Sequence, residues 1–138
     1  MNQTIVRVQT GGRGFVDVTD ELQRLVKSSG VRSGLCHVFL QHTSASLLVS
    51  ENADPSVRRD LERWLQKLAP EGAGYEHDDE GPDDMPAHLQ AALLRTSETL
   101  PILDGKLALG TWQALYVVEH RRRAHERRLV VTIVGQAA

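Results

Sequence analysis

The sequence contains a single cysteine, Cys36, among its 138 residues. One cysteine cannot form a disulfide within its own chain, and a domain of this size buries enough apolar surface to fold without one. Cys36 lies within the apolar run Leu35–Leu40. We therefore expect it to be a small core side chain rather than a reactive thiol.

Two other features are missing: a long apolar segment and an excess of charge of one sign. No stretch approaches the roughly 18 apolar residues that a membrane helix needs, and Met1–Thr4 lacks the pattern of a secretion signal. We therefore expect a cytoplasmic protein with no membrane partner. The net charge of −2 and the isoelectric point near 6.3 argue against a surface built to bind nucleic acid.

Short apolar segments separated by turn residues indicate the fold class. Segments of β-branched or alternating apolar residues predict strands at 5–9, 15–18, 35–40, 100–103, 106–109, 110–119 and 128–134. Apolar residues at helical spacing predict three helices, which begin at Thr19 or Asp20, at Asp54-Pro55, and at Pro86 with Asp84 as its cap. Strands joined mostly by turns, with helices inserted, predict one α+β domain over residues 1–138 with a largely antiparallel sheet.

The segment from His42 to Pro55 carries more chemistry than a core strand needs. It holds an imidazole, hydroxyl groups, a carboxylate and an amide within a few residues, among them Ser44, Glu51 and Asn52. Consecutive polar side chains with small neighbours indicate a surface that coordinates or hydrogen-bonds a ligand.

An acidic loop between the second and third helices, residues 69–85, adds further candidate ligands. His77 lies in this loop, Asp84 at its end and His88 in the first turn of the next helix. Histidine and carboxylate groups from separate segments are how proteins hold metals such as zinc. The spacing fits no short metal motif, so solvated histidines and a helix-capping Asp84 stay open as alternatives.

The basic turn from His120 to Arg127 allows two interpretations. Its arginines could bind phosphate, because guanidinium groups match phosphate oxygens, or they could form the solvated tip of a hairpin between the last two strands. The second interpretation places His120 in an exposed turn. Gln113 and Glu119 occupy an otherwise apolar strand face, where a charged group must reach water or meet a partner.

The assembled pattern resembles the YjbQ-like family, small proteins described as secondary thiamine-phosphate synthases. The resemblance covers nearly the whole chain. It rests on seven blocks in order: Arg13-Gly14-Phe15, Gln41-His42-Thr43-Ser44-Ala45-Ser46-Leu47, Glu51-Asn52-Ala53-Asp54-Pro55, Tyr75-Glu76-His77-Asp78, Asp83-Asp84-Met85-Pro86-Ala87-His88, Leu109-Gly110-Thr111-Trp112-Gln113 and Glu119-His120-Arg121.

The resemblance implies a β-sandwich that assembles as a homotrimer, with a site near the subunit boundaries. It implies a divalent metal, zinc or magnesium, on His77, His88 and Asp84. It also implies substrate binding by Thr43, Trp112 and Arg121. The implied catalytic residues are His42, Ser44, Glu51, Asn52, Gln113 and Glu119.

The implied reaction joins hydroxymethylpyrimidine diphosphate to thiazole phosphate and releases pyrophosphate. Arg121 would face phosphate and Trp112 would stack on the flat pyrimidine. Two alternatives stay open. One is a metal-dependent hydrolase of a small phosphorylated metabolite, with Glu51 or Glu119 as base. The other is a non-enzymatic trimeric module that binds a small anionic metabolite.

Overall fold

The computed structural model describes residues 1–137, which form eight β-strands and three α-helices. In chain order they are β1 (Asn2–Gln9), β2 (Gly14–Asp17), α1 (Thr19–Ser29), β3 (Ser33–Leu40), β4 (Ala45–Glu51), α2 (Pro55–Leu68), α3 (Asp84–Leu93), β5 (Ser97–Leu103), β6 (Lys106–Leu107), β7 (Gln113–Glu119) and β8 (Glu126–Gln136).

The strands form two antiparallel sheets. One sheet has five strands in the order β1-β8-β3-β5-β6, and the other has three in the order β2-β7-β4. Every strand pair in residues 1–137 is antiparallel. The predicted α+β class with antiparallel sheets and three helices is confirmed.

The main core lies between the two sheets. Alternating residues of the five-stranded sheet, such as Cys36, Val38 and Leu40, pack with Leu115 and Val117 of the three-stranded sheet. Burial of these side chains is the main stabilising term of the fold, at roughly 25 cal/mol per Å² of apolar surface. Cys36 is fully buried, as predicted, and burial raises the pKa of its thiol to about 11.

The opposite face of the three-stranded sheet carries a second apolar cluster. Ala114, Tyr116 and Val118 alternate with the inward residues of β7, and Phe15 packs edge-on against Tyr116. Helices α2 and α3 lie beside this sheet, with α2 near β2 and α3 near β4. No helix within residues 1–137 is long and apolar enough to cross a membrane.

The predicted hairpin between the last two strands is wrong. β7 belongs to the three-stranded sheet and β8 to the five-stranded sheet, so residues 120–125 cross from one sheet to the other. Residues 122–124 of this crossing are exposed, but His120 at its start is buried rather than exposed.

The helical spacing of Trp64 with Leu61, Leu65 and Leu68 predicts that Trp64 packs in the core, and this prediction is wrong, because the side chain is 51% exposed. In α2 only Leu65 is fully buried, so the helix packs through a narrower stripe than its apolar spacing indicates. The start of α2 was predicted well: Asp54 caps it by accepting a hydrogen bond from the Ser56 amide, and Pro55 occupies the first turn. At α1 neither Thr19 nor Asp20 is the cap, which is Val18.

Candidate metal centre

Two histidines and two carboxylates meet at the start of α3. His77 Nε2 lies 2.7 Å from Asp84 Oδ2, and His88 Nε2 lies 3.0 Å from the same oxygen. Glu80 Oε2 lies 3.2 Å from His77 Nε2. One ligand atom from each of the four residues falls within 4.8 Å of the others. Imidazole nitrogens and carboxylate oxygens at such separations are a donor set suited to a divalent metal.

Helix α3 brings two of these four residues together. Asp84 and His88 are four residues apart, so they share one face of the first turn of α3. His77 comes from the acidic loop before the helix. The predicted capping role of Asp84 is wrong: Asp83 is the capping position and makes no side-chain cap bond, while the Asp84 carboxylate faces the two imidazoles.

His88 is held between two hydrogen-bond acceptors. Its Nδ1 lies 2.9 Å from the Thr43 carbonyl oxygen, and its Nε2 lies 3.0 Å from Asp84 Oδ2. A neutral imidazole has only one N–H to donate. With Nδ1–H donated to Thr43, the Nε2 lone pair faces a carboxylate, which requires a proton or a metal ion between them. Fixing one imidazole nitrogen on a carbonyl while the other faces the ion is how metal-bound histidines are oriented.

His77 completes the cluster from its exposed side. The side chain is 39% exposed, against 4% for Asp84. Its hydrogen bond with Asp84 raises the pKa of the imidazole above its ordinary value. The cluster therefore has a buried carboxylate at its base and an imidazole open to solvent.

Arg121 fixes the buried carboxylates. Its Nη1 donates to Asp84 Oδ1 at 2.6 Å and its Nε donates to Asp83 Oδ2 at 3.0 Å. Burial works to raise the pKa of Asp83, but the bonds from Arg121 and from the Arg122 amide outweigh it and hold the pKa at about 2. The pKa of Asp84 is also lowered: burial opposes the shift, and His77, His88 and Arg121 drive it. Arg121 thus leaves only Oδ2 of Asp84 turned towards the histidines.

A fully buried ion pair lies behind the cluster. Glu119 is 0% exposed and accepts hydrogen bonds from Arg127 Nε at 2.9 Å, from Thr10 Oγ1 at 2.7 Å and from the Arg121 amide at 3.2 Å. Burial works to raise the pKa of Glu119, but these donors outweigh it and the pKa is lowered. Arg127 Nη2 also donates to Ser44 Oγ at 3.0 Å. Glu119 therefore organises the ends of β7 and β8 and does not face a cavity.

His42 lies beside this ion pair. The Arg128 amide donates to His42 Nε2 at 2.8 Å, and Arg127 Nη1 lies 3.4 Å from His42 Nδ1. Burial and the charge of Arg127 lower the pKa of His42. His42, Thr43, His88 and Phe39 line one open cavity of about 470 Å³.

The remaining predicted site residues lie at the other end of the three-stranded sheet. In the β4–β7 register Ala45 faces Glu119, whereas Glu51 faces Gln113. Six residue steps of strand separate these ends, which is about 20 Å. The structure therefore does not bring Glu51, Asn52, Trp112 and Gln113 to the histidine cluster within one chain.

Polar side chains at that far end form hydrogen bonds with backbone groups. Glu51 accepts hydrogen bonds from the Ala53 and Asp54 amides, and Gln113 accepts one from the Gly110 amide. Asn52 Nδ2 donates to the carbonyl of Gln113 at 3.4 Å. The Glu51 and Gln113 bonds shape turns, and the Trp112 side chain, which is 64% exposed, offers a large apolar surface.

Two members of the polar assembly were missed from the sequence. Glu80 lies three residues after His77, a separation that can bring two side chains together, and this signal was available. The sequence predicts Arg127 only as part of a basic turn that either binds phosphate or forms a solvated hairpin tip. One feature of the sequence indicates its role: Glu119 lies on an apolar strand face and therefore needs a partner of opposite charge.

Comparison with known proteins places the chain in a family. A sequence model described as UPF0047 protein YjbQ-like matches residues 4–136. The chain belongs to this family. A UPF0047 protein from Synechocystis sp. is 47% identical over 136 residues, covering 98% of this chain and 92% of its own. UPF0047 protein YjbQ of Salmonella typhimurium is 44% identical over 135 residues, covering 97% and 98% respectively.

Solved structures share the fold. The crystal structure of a hypothetical protein from Aeropyrum pernix K1 superposes with a TM-score of 0.90 at 28% identity, covering 99% of this chain and 100% of that one. The family resemblance drawn from the sequence blocks is therefore confirmed.

Proposed function

We propose that this family member is a metal-dependent enzyme that acts on a small phosphorylated metabolite. The observation that carries the proposal is the position of His88, whose two ring nitrogens both face acceptors, Thr43 O and Asp84 Oδ2. A cation at Nε2 resolves this arrangement, and His77 Nε2 points at the same carboxylate oxygen. Two imidazoles with a carboxylate favour zinc over magnesium, which prefers oxygen ligands.

The chain's own residues would hold the ion in a defined orientation. His77, His88 and Asp84 are the proposed ligands, the Thr43 carbonyl orients His88, and Arg121 orients Asp84. A divalent ion bound there would stabilise negative charge on a phosphate or diphosphate group. Because Arg121 already binds two aspartates, we assign it to ligand orientation rather than to direct phosphate binding.

The specific reaction we propose is the one implied by the family resemblance, the joining of hydroxymethylpyrimidine diphosphate to thiazole phosphate. The test is pyrophosphate release by the metal-loaded protein. Release that requires both substrates, and that is lost in His88→Ala but kept in His37→Ala, is expected. His37 is a matched control, because it is an exposed histidine of β3 bonded only to Thr99. No pyrophosphate release, or release when only one substrate is present, would contradict the synthase reaction.

A hydrolase is a second candidate, and the solvent-exposed His77 side of the cluster favours it. Glu51 and Glu119 are engaged elsewhere, so this candidate relies on Glu80, the carboxylate beside His77. Phosphate release from a single phosphorylated substrate would support it. Bound metal without turnover of any substrate would support the binding module instead.

We also propose a homotrimer in which the far end of one three-stranded sheet meets the histidine cluster of another copy. This arrangement would bring Trp112, Asn52 and Gln113 to the substrate, although within their own chain they lie at the opposite end of the β4–β7 pair, about 20 Å along the strands from the Ala45–Glu119 end. Exposed apolar side chains on the two elements that this contact would bring together support self-association: Trp112 at the far end of the sheet is 64% exposed, and Leu93 of α3 is 56% exposed. Light scattering should give three times the chain mass of 15.3 kDa, and a monomer would contradict the arrangement.

The remaining proposed partners follow from the same reading of the sequence. We propose a cytoplasmic protein whose partners are the metabolite and its own copies, with neither nucleic acid nor membrane. The net charge of −2 supports the exclusion of nucleic acid. Recovery in the membrane fraction of lysed cells, or retention on immobilised nucleic acid at physiological salt, would contradict it.

A further inference from the structure

His42 is surrounded by donors, in contrast to His88, which is surrounded by acceptors. The Arg128 amide donates to His42 Nε2 at 2.8 Å, so Nε2 carries the lone pair. In a neutral imidazole the proton must then be on Nδ1. The opposite tautomer would place an N–H against the Arg128 amide at the same short distance.

This tautomer leaves two sets of donors facing each other. Arg127 Nη1 lies 3.4 Å from His42 Nδ1, and both atoms carry hydrogens. The Nε and Nη2 atoms of Arg127 bond to Glu119 and Ser44, whereas Nη1 contacts no acceptor among residues 1–137. The protein therefore provides a guanidinium N–H and an imidazole N–H that converge without an acceptor between them.

We propose that His42 and Arg127 form a subsite for a phosphate oxygen of the substrate. A phosphate oxygen accepts several charge-assisted hydrogen bonds, and a guanidinium group is the side chain best suited to supply one of them. His42 of this subsite and His88 of the metal cluster line the same cavity of about 470 Å³, and Arg127, which is buried, contacts His42. Thr43, the residue after His42, accepts a hydrogen bond from His88 through its carbonyl oxygen.

The subsite deepens the proposed function and rests on it for the identity of the substrate. One wall of the cavity would hold a cation and the other would hold an anion, which fits a phosphorylated molecule with its charged group between the two. The donors themselves are present in the chain whether or not a metal is bound. Loss of metal binding and loss of the subsite are therefore separate outcomes.

The test is binding of orthophosphate and pyrophosphate to the full chain, before and after chelator treatment, by calorimetry at constant ionic strength set with sodium chloride. His42→Leu removes the Nδ1 donor and should weaken pyrophosphate binding by roughly tenfold or more, the usual effect of one hydrogen bond to a charged group. His42→Gln, which keeps an amide donor, should recover part of the loss. Arg127 is kept unchanged, because its removal would leave Glu119 buried without a partner.

Arg128→Gln is the matched control, since it removes a neighbouring exposed charge and keeps the backbone amide that binds His42. Its affinity for pyrophosphate should stay within about twofold of the wild type. Nitrogen NMR should find the His42 proton on Nδ1, with its signal shifting as phosphate is added. Equal losses in Arg128→Gln and His42→Leu, or binding that chloride abolishes, would overturn the subsite. Phosphate binding that depends on His42 in a protein that binds no metal would keep the subsite and contradict the metal-dependent enzyme.

Discussion

The two ends of the β4–β7 strand pair use the same kinds of side chain for different purposes. At the Ala45–Glu119 end, polar groups bond to side chains from other segments: Glu119 bonds to Thr10 and Arg127, and Arg127 bonds to Ser44. At the Glu51–Gln113 end, Glu51 and Gln113 accept hydrogen bonds from backbone amides two or three residues away and shape turns. Polar chemistry thus marks a candidate site only where groups from separate segments face one another, and not where each closes its own turn.

The largest expected difference between the two ends concerns two glutamates. Glu119→Gln leaves Arg127 buried without a counter-charge and should lower the free energy of unfolding by about 3–5 kcal/mol. Glu51→Gln keeps an acceptor for the Ala53 and Asp54 amides and should lower it by less than about 1 kcal/mol. Urea denaturation of both variants measures the two changes in the free energy of unfolding. Similar losses of stability in the two variants would contradict the difference between the two ends.

The buried end should also make stability depend on pH through His120. Burial lowers the pKa of His120 to about 4, against about 6.5 in an unfolded chain. Between these values the unfolded chain binds a proton that the folded chain does not. Lowering the pH from 6.5 to 4 should therefore remove about 3 kcal/mol of stability through this group.

His120→Leu supplies the comparison for that pH effect. The variant loses the hydrogen bond between Ser46 Oγ and His120 Nε2, so it should be less stable at neutral pH. Its stability should fall less steeply than that of the wild type between pH 6.5 and 4. Parallel curves for the two proteins would show that His120 titrates normally in the folded state.

A smaller effect is expected from the residue that orients the metal ligand. Arg121→Gln should weaken zinc affinity by about 10–100-fold while the three ligands stay in place. Arg122→Gln removes a neighbouring charge that pairs with Glu71 instead, and should leave the affinity nearly unchanged. Calorimetry with zinc, together with the visible absorption of the cobalt-substituted protein, distinguishes altered coordination from a general loss of charge. An unchanged cobalt spectrum in Arg121→Gln would contradict the orienting role.

The smallest change in stability is expected at the exposed far end. Trp112→Ala should alter the free energy of unfolding by no more than about 0.5 kcal/mol, because the side chain is largely exposed. Metal content should stay the same. If Trp112 reaches the substrate of a neighbouring copy, turnover should fall, and unchanged turnover would remove it from the site.

Local patterns predicted the fold well wherever a segment decides its own structure. Periodicity located the helices and most strands, and Asp54-Pro55 marked the start of α2. Trp64 was misplaced because spacing describes the apolar stripe of a helix and not the width of its contact with the sheet. The hairpin between β7 and β8 was predicted wrongly because the sequence does not indicate which sheet a strand joins.

The candidate site could be predicted only in part. The acidic loop and the start of α3 pointed to His77, Asp84 and His88, which the fold brings together. The pairing of Glu119 with Arg127 depends on the crossing between the two sheets. Because of this crossing, a basic run typical of a solvated turn contains a buried arginine. The division of the remaining residues between two ends follows from strand register, which short motifs do not contain.

The most direct test of the account is the metal content of untagged protein after incubation with zinc and desalting. We predict about one zinc ion per chain in the wild type and in His37→Ala, and none in His77→Ala or His88→Ala. Absence of zinc from the wild type, or equal zinc content in all four proteins, would contradict a metal site at the start of α3.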